Sequence, residues 1–168
     1  MENELSFTDN DLRRQLILLK EIESQSDRGT AIVGAAWLEE ELKATLKSRF
    51  LEDEQVSRRL FSNGALSEFS TCLDLAYMLK VITKEQYKDL DKIRKIRNDF
   101  AHKLISKQFE ELSFDNANIR DRCMTFSCII KEEDRVTSRH AFCRACAILY
   151  ADIYLSAFMP EGCFESKG

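Results

Sequence analysis

Hydrophobic residues recur along this chain every three or four positions, the period of a helix that buries one side against neighbours. Leu12, Leu16, Leu19 and Ile22 mark the first such face. Their helix is predicted to begin near Thr8-Asp9, with Thr8 and Asp11 as a capping pair. The short polar residues Ser24-Gln25-Ser26-Asp27 end it and cap the next. A second helix is predicted over about Arg28–Phe50, carrying Ile32, Ala35, Ala36, Leu38, Leu42 and Leu46. Its first half is small (Gly29, Ala31, Gly34, Ala35, Ala36), which lets another helix come close and places that half in the core. Glu39-Glu40-Glu41 predict a solvated edge further along.

The pattern continues through a short helix over Glu52–Phe61 and a turn at Ser62-Asn63-Gly64. Ser67 is expected to cap a helix bearing Phe69, Leu73, Ala76 and Leu79, stopping near Val81-Ile82. Thr83 followed by Gln86 is a capping box, opening a helix to about Leu104. Residues 105–118 predict a loop, followed by a short helix at Ile119–Phe126 and a brief strand-like run at Phe126–Ile130. A last helix over about Ser138–Phe158 is ended by Pro160 and Gly162, leaving Glu161–Gly168 as a mobile tail. The expectation is an all-α, single-domain bundle spanning residues 1–168, with six or seven helices.

Composition agrees with helices. The 168 residues include one Pro and five Gly, few breakers for a chain this long. A net charge of −4 argues against a surface built mainly to neutralise phosphates, though it leaves room for a local basic patch. The six cysteines sit mostly in apolar periodic runs and are expected to be reduced core residues. There is no signal-like segment at Met1–Ser26 and no apolar run near the ~20 residues of a membrane span, so a cytoplasmic location is expected. Gly-rich phosphate loops, nucleophile elbows and metal-ligand carboxylate patterns are lacking in the sequence, which predicts neither cofactor nor metal.

The most informative run is Arg94-Lys95-Ile96-Arg97-Asn98-Asp99-Phe100-Ala101-His102. At about 100° per residue, Leu90, Ile93, Ile96, Phe100 and Leu104 form one apolar face with Arg97 near its middle. Asn98 and His102 fall on a polar side with Asp91, Lys95 and Asp99. A buried arginine is costly unless paired, and Asp74 in Leu73-Asp74-Leu75 is the expected partner. The pair would then either fix helix register or belong to a site. His102 suits proton transfer near neutral pH, or serves as a favourable cation at a helix C-terminus.

The spacing of Arg97 and His102 resembles the Arg-x4–6-His motif of the HEPN superfamily, helical domains that include metal-independent ribonucleases. That resemblance implies His102 handling a proton, Arg97 stabilising phosphoryl charge and Asn98 orienting the phosphate or the His. A regular helix sets Arg97 and His102 about 140° apart, so a joint site needs local unwinding or a second chain. A longer resemblance joins Ser26-Asp27-Arg28-Gly29, Leu73-Asp74-Leu75-Ala76-Tyr77, Ile93–His102, Ser113-Phe114-Asp115 and Ile119-Arg120-Asp121-Arg122-Cys123. In that order they are similar to the mannitol operon repressor family. This implies a helical transcriptional regulator. From their charges and positions, Asp74, Arg94, Asp99, Arg120 and Arg122 are expected as a binding or structural network around the central run. The chain shows no helix-turn-helix and no basic recognition helix, so contact with a protein partner is expected rather than direct DNA reading. A homodimer is expected on the superfamily analogy alone. The alternatives are a ribonuclease acting on RNA through Arg97 and His102, or a helical interaction module.

Other signals have plainer explanations. Cys143 and Cys146 share an apolar stripe with Phe142, Leu149, Tyr150 and Ile153, which predicts core packing despite His140 nearby. Trp37 is expected in the core rather than stacked on a base. Arg120 and Arg122 are expected to pair locally with Asp121 or with the Asp115 turn.

Overall fold

The computed structural model describes residues 9–103, 111–129 and 136–158, with side chains from residue 13 onward. Among the described residues seven α-helices follow one another: α1 (Asp9–Ser24), α2 (Asp27–Lys47), α3 (Glu54–Ser62), α4 (Phe69–Met78), α5 (Lys84–His102), α6 (Ala117–Cys123) and α7 (Ser138–Ser156). They form an all-α single-domain bundle, with no strand among the described residues. Residues 104–110, which hold Leu104 and part of the expected loop, lie outside the described residues, as do Thr8, Ile130 and residues 159–168, which hold Pro160, Gly162, Cys163 and the expected tail Glu161–Gly168.

Helix starts follow local chemistry. The Ser26 hydroxyl accepts from the Gly29 amide and caps α2, Asp53 caps α3 and Thr137 caps α7. The Thr83–Gln86 box forms in both directions at α5. At α4 the expected Ser67 cap does not form: Glu68 is the capping position, without a side-chain bond. Ser67 Oγ instead donates to the Gly64 carbonyl at 2.8 Å, because the turn there folds back on itself. Gly64 tolerates no side chain in that turn, since a Cβ would lie 2.3 Å from the Arg59 carbonyl oxygen.

Helix α2 is the centre of the bundle. Ala31, Ala35, Leu38, Leu42 and Leu46 are all buried. Gly34 gives α7 its close approach, since a Cβ there would stand 3.1 Å from both Cys146 Sγ and Phe142 Cε1. Helices α2 and α7 run parallel. Arg139 Nη1 meets Asp27 Oδ1 at one end, and Arg49 Nη2 donates to the Ser156 carbonyl at the other. Helix α5 runs the opposite way: Gln86 Nε2 donates to Asp152 near the end of α7, while Arg28 of α2 reaches Ala101. One end of the bundle therefore gathers the starts of α2 and α7 with the finish of α5. The other gathers the finishes of α2 and α7 with the start of α5.

Several expectations fail by rotation or by tertiary capture: Ile32 and Ala36 of α2 and Leu79 after α4 are exposed and not on the inner faces. Leu16 is 56% exposed, so the inner face of α1 is Leu18, Leu19 and Ile22 rather than a stripe through Leu16. Residues 124–129 form turns, not a strand, because the carboxylate of Asp89 holds the Ser127 and Cys128 amides. The Glu39–Glu41 segment is only partly a solvated edge. Glu40 is exposed, but Glu39 and Glu41 are half-buried and bonded. Cys72, Cys123, Cys128, Cys143 and Cys146 are free, and Trp37 is partly buried against the core.

Candidate functional site at the end of α5

Helix α5 presents Leu90, Ile93, Ile96 and Phe100 to the core, all fully buried. Arg97 lies at the border of that face with its side chain 31% exposed. Its partner is Glu39 of α2, at 3.3 Å from Nη2 to Oε2. Glu39 also receives Lys43 Nζ at 2.6 Å, and Lys43 donates onward to the Ser67 carbonyl. Arg97 is thus one member of a half-buried network joining α5, α2 and the lead into α4.

Asp74 is not that partner. It is exposed on α4 and accepts from the Tyr87 hydroxyl at 2.8 Å. Tyr87 precedes Arg97 by about 15 Å of helix rise, so Asp74 meets the wrong end of α5. Leu73 and Ala76 take the buried positions of α4, leaving the intervening Asp74 outside.

Beyond Arg97, α5 stays helical through His102, which is exposed in the last turn. No local unwinding brings His102 round to Arg97, and the two point about 140° apart on a regular helix. Asn98 is half-buried on the same side as His102. Arg94 is occupied by Asp91, at 2.6 Å.

The charged groups at this end are organised by Asp99. Its Oδ1 takes Lys103 Nζ and its Oδ2 takes Arg122 Nη1, each at 2.5 Å. Burial raises the Asp99 pKa, but hydrogen bonds from Lys103 and Arg122 outweigh it and hold the carboxyl below its ordinary value. Arg122 therefore reaches across to α5, not to Asp121 or the Asp115 turn. Residue Asp115 instead donates its amide to Ser113 Oγ. Arg120 is exposed.

The Ser26–Gly29 turn ties the same end together. Arg28 donates to the Ala101 carbonyl at 3.1 Å and the Lys103 carbonyl at 3.5 Å, capping the C-terminus of α5 with a cation. Asp27 accepts the Phe114 amide at 3.0 Å and pairs with Arg139 at 2.6 Å. Arg139 also donates to the Glu23 and Gln25 carbonyls. Ser138 Oγ donates to the Phe114 carbonyl at 2.8 Å. The Phe114 ring sits between Phe100 and Phe142, with centroids at 5.2 and 5.1 Å. Segments separated by more than 70 residues in sequence thus meet around the end of α5.

One buried charge escaped the sequence reading. Asp89 is 0% exposed. Its carboxylate accepts from Lys92 Nζ, the Ser127 amide and hydroxyl, and the Cys128 amide. Burial raises its pKa, yet the bonds from Ser127 and Lys92 bring it below the usual carboxylate value. The signal was there: on a helical wheel Asp89 falls between Ile96 and Phe100, inside the apolar face. Its role is to hold the 124–129 turns.

Burial raises the thiol pKa of every described cysteine, Cys72 included. Burial pushes Cys123 and Cys128 to about 12 and Cys143 to about 11, and raises Cys146 well above its ordinary value. Among the described residues no group of three or more His, Cys, Asp or Glu side chains converges as a metal site. No helix among them is long and apolar enough to cross a membrane.

Compared with known proteins, the chain matches no family model and no curated protein. Among solved structures it resembles a chain in the X-ray structure of the MtlR-HPr complex from Escherichia coli. The TM-score is 0.68 at 17% identity, over 83% of this chain and 98% of that one. At this identity the likeness shows a shared fold.

Proposed function

We propose that this protein is a cytoplasmic transcriptional regulator of the mannitol operon repressor kind, acting by binding a protein partner and not by reading DNA. The observation that carries the reading is where four of its five resemblance blocks meet; the fifth, Leu73–Tyr77, lies at the start of α5 through Asp74–Tyr87. Ser26–Gly29, Ile93–His102, Ser113–Asp115 and Ile119–Cys123 touch one another around the end of α5 through Arg28–Ala101, Asp27–Phe114 and Asp99–Arg122. Blocks that form one contact set belong to one structural unit, which supports treating them as a family signature and not as scattered coincidences. The fold likeness to a chain from the MtlR-HPr complex supports the same family and suggests a partner of the HPr kind.

The test is a calorimetric titration of the purified protein with HPr from the same cell, beside a mobility-shift assay on sugar-alcohol operon promoters. Saturable HPr binding without a DNA shift is the expected result. A sequence-specific DNA shift with no HPr binding overturns it.

The rival reading is a metal-independent ribonuclease using Arg97, Asn98 and His102. It requires Arg97 to leave Glu39 and a second chain to complete the site, because α5 keeps Arg97 and His102 on different sides. An interaction module without a regulatory role is the remaining alternative, separated from the first reading by operon transcription in a deletion strain.

A further inference from the structure

Helix α1 is held to the bundle more lightly than the helices beneath it. Of its described side chains, residues 13–24, Ile22 alone is fully buried, against ten buried residues of nineteen in α7. The grip is also uneven along its length. Its finish is clamped at three carbonyls: Thr30 Oγ1 donates to Ile22 at 2.9 Å, and Arg139 Nη2 donates to Glu23 at 3.0 Å and to Gln25. The earlier turns rest on half-buried Leu18 and Leu19 and on the exposed Arg14 guanidinium, 5.9 Å from the centre of the Tyr150 ring.

Packing beneath those turns is incomplete. An apolar cavity of about 10 Å³ lies between Leu18, Leu19 and Ile22 of α1, Trp37 of α2, and Cys146 and Tyr150 of α7. Side chains that face a void forgo dispersion contacts, so α1 is seated there with less than a full set. What lies below has its own support. The Tyr150 hydroxyl bonds Glu41 of α2, and Gly34 brings α2 directly against Cys146 and Phe142 of α7.

We infer that α1 is a strap. The turns before Ile22 leave the α2–α7 seat as a unit while the other helices stay folded, and the clamped finish is the pivot. Opening of this kind needs a segment with few buried apolar contacts, resting on a part that stands without it. Both conditions hold here. In the closed form α1 is the occupant of the seat and covers Trp37, Cys146 and Tyr150. In the open form that apolar surface meets solvent. The inference stands apart from the regulatory reading, since it concerns the chain alone.

Labelling of the full chain with iodoacetamide tests it, with peptide mass spectrometry locating each label. Cys146 reports on the seat. Cys72, fully buried on α4, reports on the rest of the bundle. Each rate is divided by that of the same thiol in the urea-unfolded chain, which removes differences in intrinsic reactivity. The expected result is Cys146 labelled about tenfold or more faster than Cys72. Ile96→Val, in the buried face of α5, destabilises the closed and open forms alike, so it should speed Cys72 and leave Cys146 unchanged. Arg14→Ala should speed Cys146 by about two- to fivefold, the worth of an exposed cation–π contact, and Leu19→Ala by about tenfold or more. Equal rates for Cys146 and Cys72, both raised by Ile96→Val, overturn the proposal: α1 then leaves only when the whole bundle unfolds. A faster Cys146 that ignores both Arg14→Ala and Leu19→Ala overturns it equally, by tracing the access to another part of α7.

Discussion

Arg28, the second residue of α2, holds the last carbonyls of α5, with its guanidinium 3.1 Å from the Ala101 oxygen. A helix C-terminus leaves carbonyls without partners, and a partly buried cation is well suited to satisfy them. Replacing Arg28 by Ala should cost about 1.5–3 kcal/mol, the range for hydrogen bonds to a charged group. For a domain of this size that is a fall in Tm of roughly 3–12 °C. Hydrogen exchange checks the location: protection should be lost first at the Ala101–Lys103 amides, while the core of α7 stays protected. A uniform loss across the bundle would mean that Arg28 supports the fold as a whole and does not act on this terminus.

Asp89 should be more costly to remove. Asp89→Ala removes the buried acceptor of two backbone amides, a hydroxyl and the Lys92 ammonium, of which Ser127 and Lys92 keep access to water. Several hydrogen bonds to one carboxylate are lost together, each of the class that contributes about 1.5–3 kcal/mol, and a cost of about 3 kcal/mol or more is expected in urea unfolding. The pH dependence has a definite sign. The carboxyl is held below its ordinary 3.8 when folded, so the folded state binds fewer protons than the unfolded state there. Its stabilisation is complete above that value and is lost as pH falls through the lower folded value. Asp152 has the opposite sign, because burial raises its carboxyl when folded. Its cost to stability appears as pH rises from 3.8 through the folded value. Asp89→Ala should flatten the acid arm of the stability curve below pH 3.8, and an unchanged arm would assign acid unfolding to Asp91 and Asp99 instead.

Lys80→Gly should stabilise the fold, because Lys80 has a φ of +56°. A non-glycine residue in the left-handed region costs about 1–2 kcal/mol relative to right-handed backbone, and glycine relieves most of it. Part of the gain is returned because glycine frees the unfolded chain. A net rise of about 1 kcal/mol in thermal or urea unfolding is expected. A drop would show that the Lys80 side chain packs in a way that outweighs its backbone strain.

Much of this architecture was legible in the sequence because it rests on local chemistry. The Ser26 cap and the Thr83–Gln86 box lie within four residues of what they bind, so their signals are complete in one short segment. The buried stripe of α5 was equally plain from its period. What stayed hidden was the identity of long-range partners. Arg97 needed a carboxylate, but nothing in residues 84–102 says that Glu39, 58 positions earlier, is nearer than Asp74. Arg122 to Asp99 and Asp27 to Phe114 are choices of the same kind. Helix rotation was the other blind spot: α1 offers Leu16 and Leu18 on different faces, and only packing against α2 and α7 chooses Leu18.

The arrangement around His102 yields the prediction that separates the two leading functional readings. Proton transfer in RNA cleavage requires His102 and a phosphate-stabilising cation on one scissile linkage. Within a chain, α5 carries Arg97 away from His102 and commits it to Glu39. Purified protein should therefore leave a mixed RNA pool intact in the presence of chelator, and His102→Ala should behave like the parent. The same substitution should scarcely alter stability, because His102 is exposed at the end of its helix and contributes at most a small favourable charge there. Cleavage that disappears in a folded His102→Ala variant would reverse the ranking. Repeating the assay with Glu39→Gln, which frees the guanidinium, then shows whether Glu39 restrains the activity: a faster reaction assigns Arg97 to phosphoryl charge, and an unchanged one assigns the cation to a second chain.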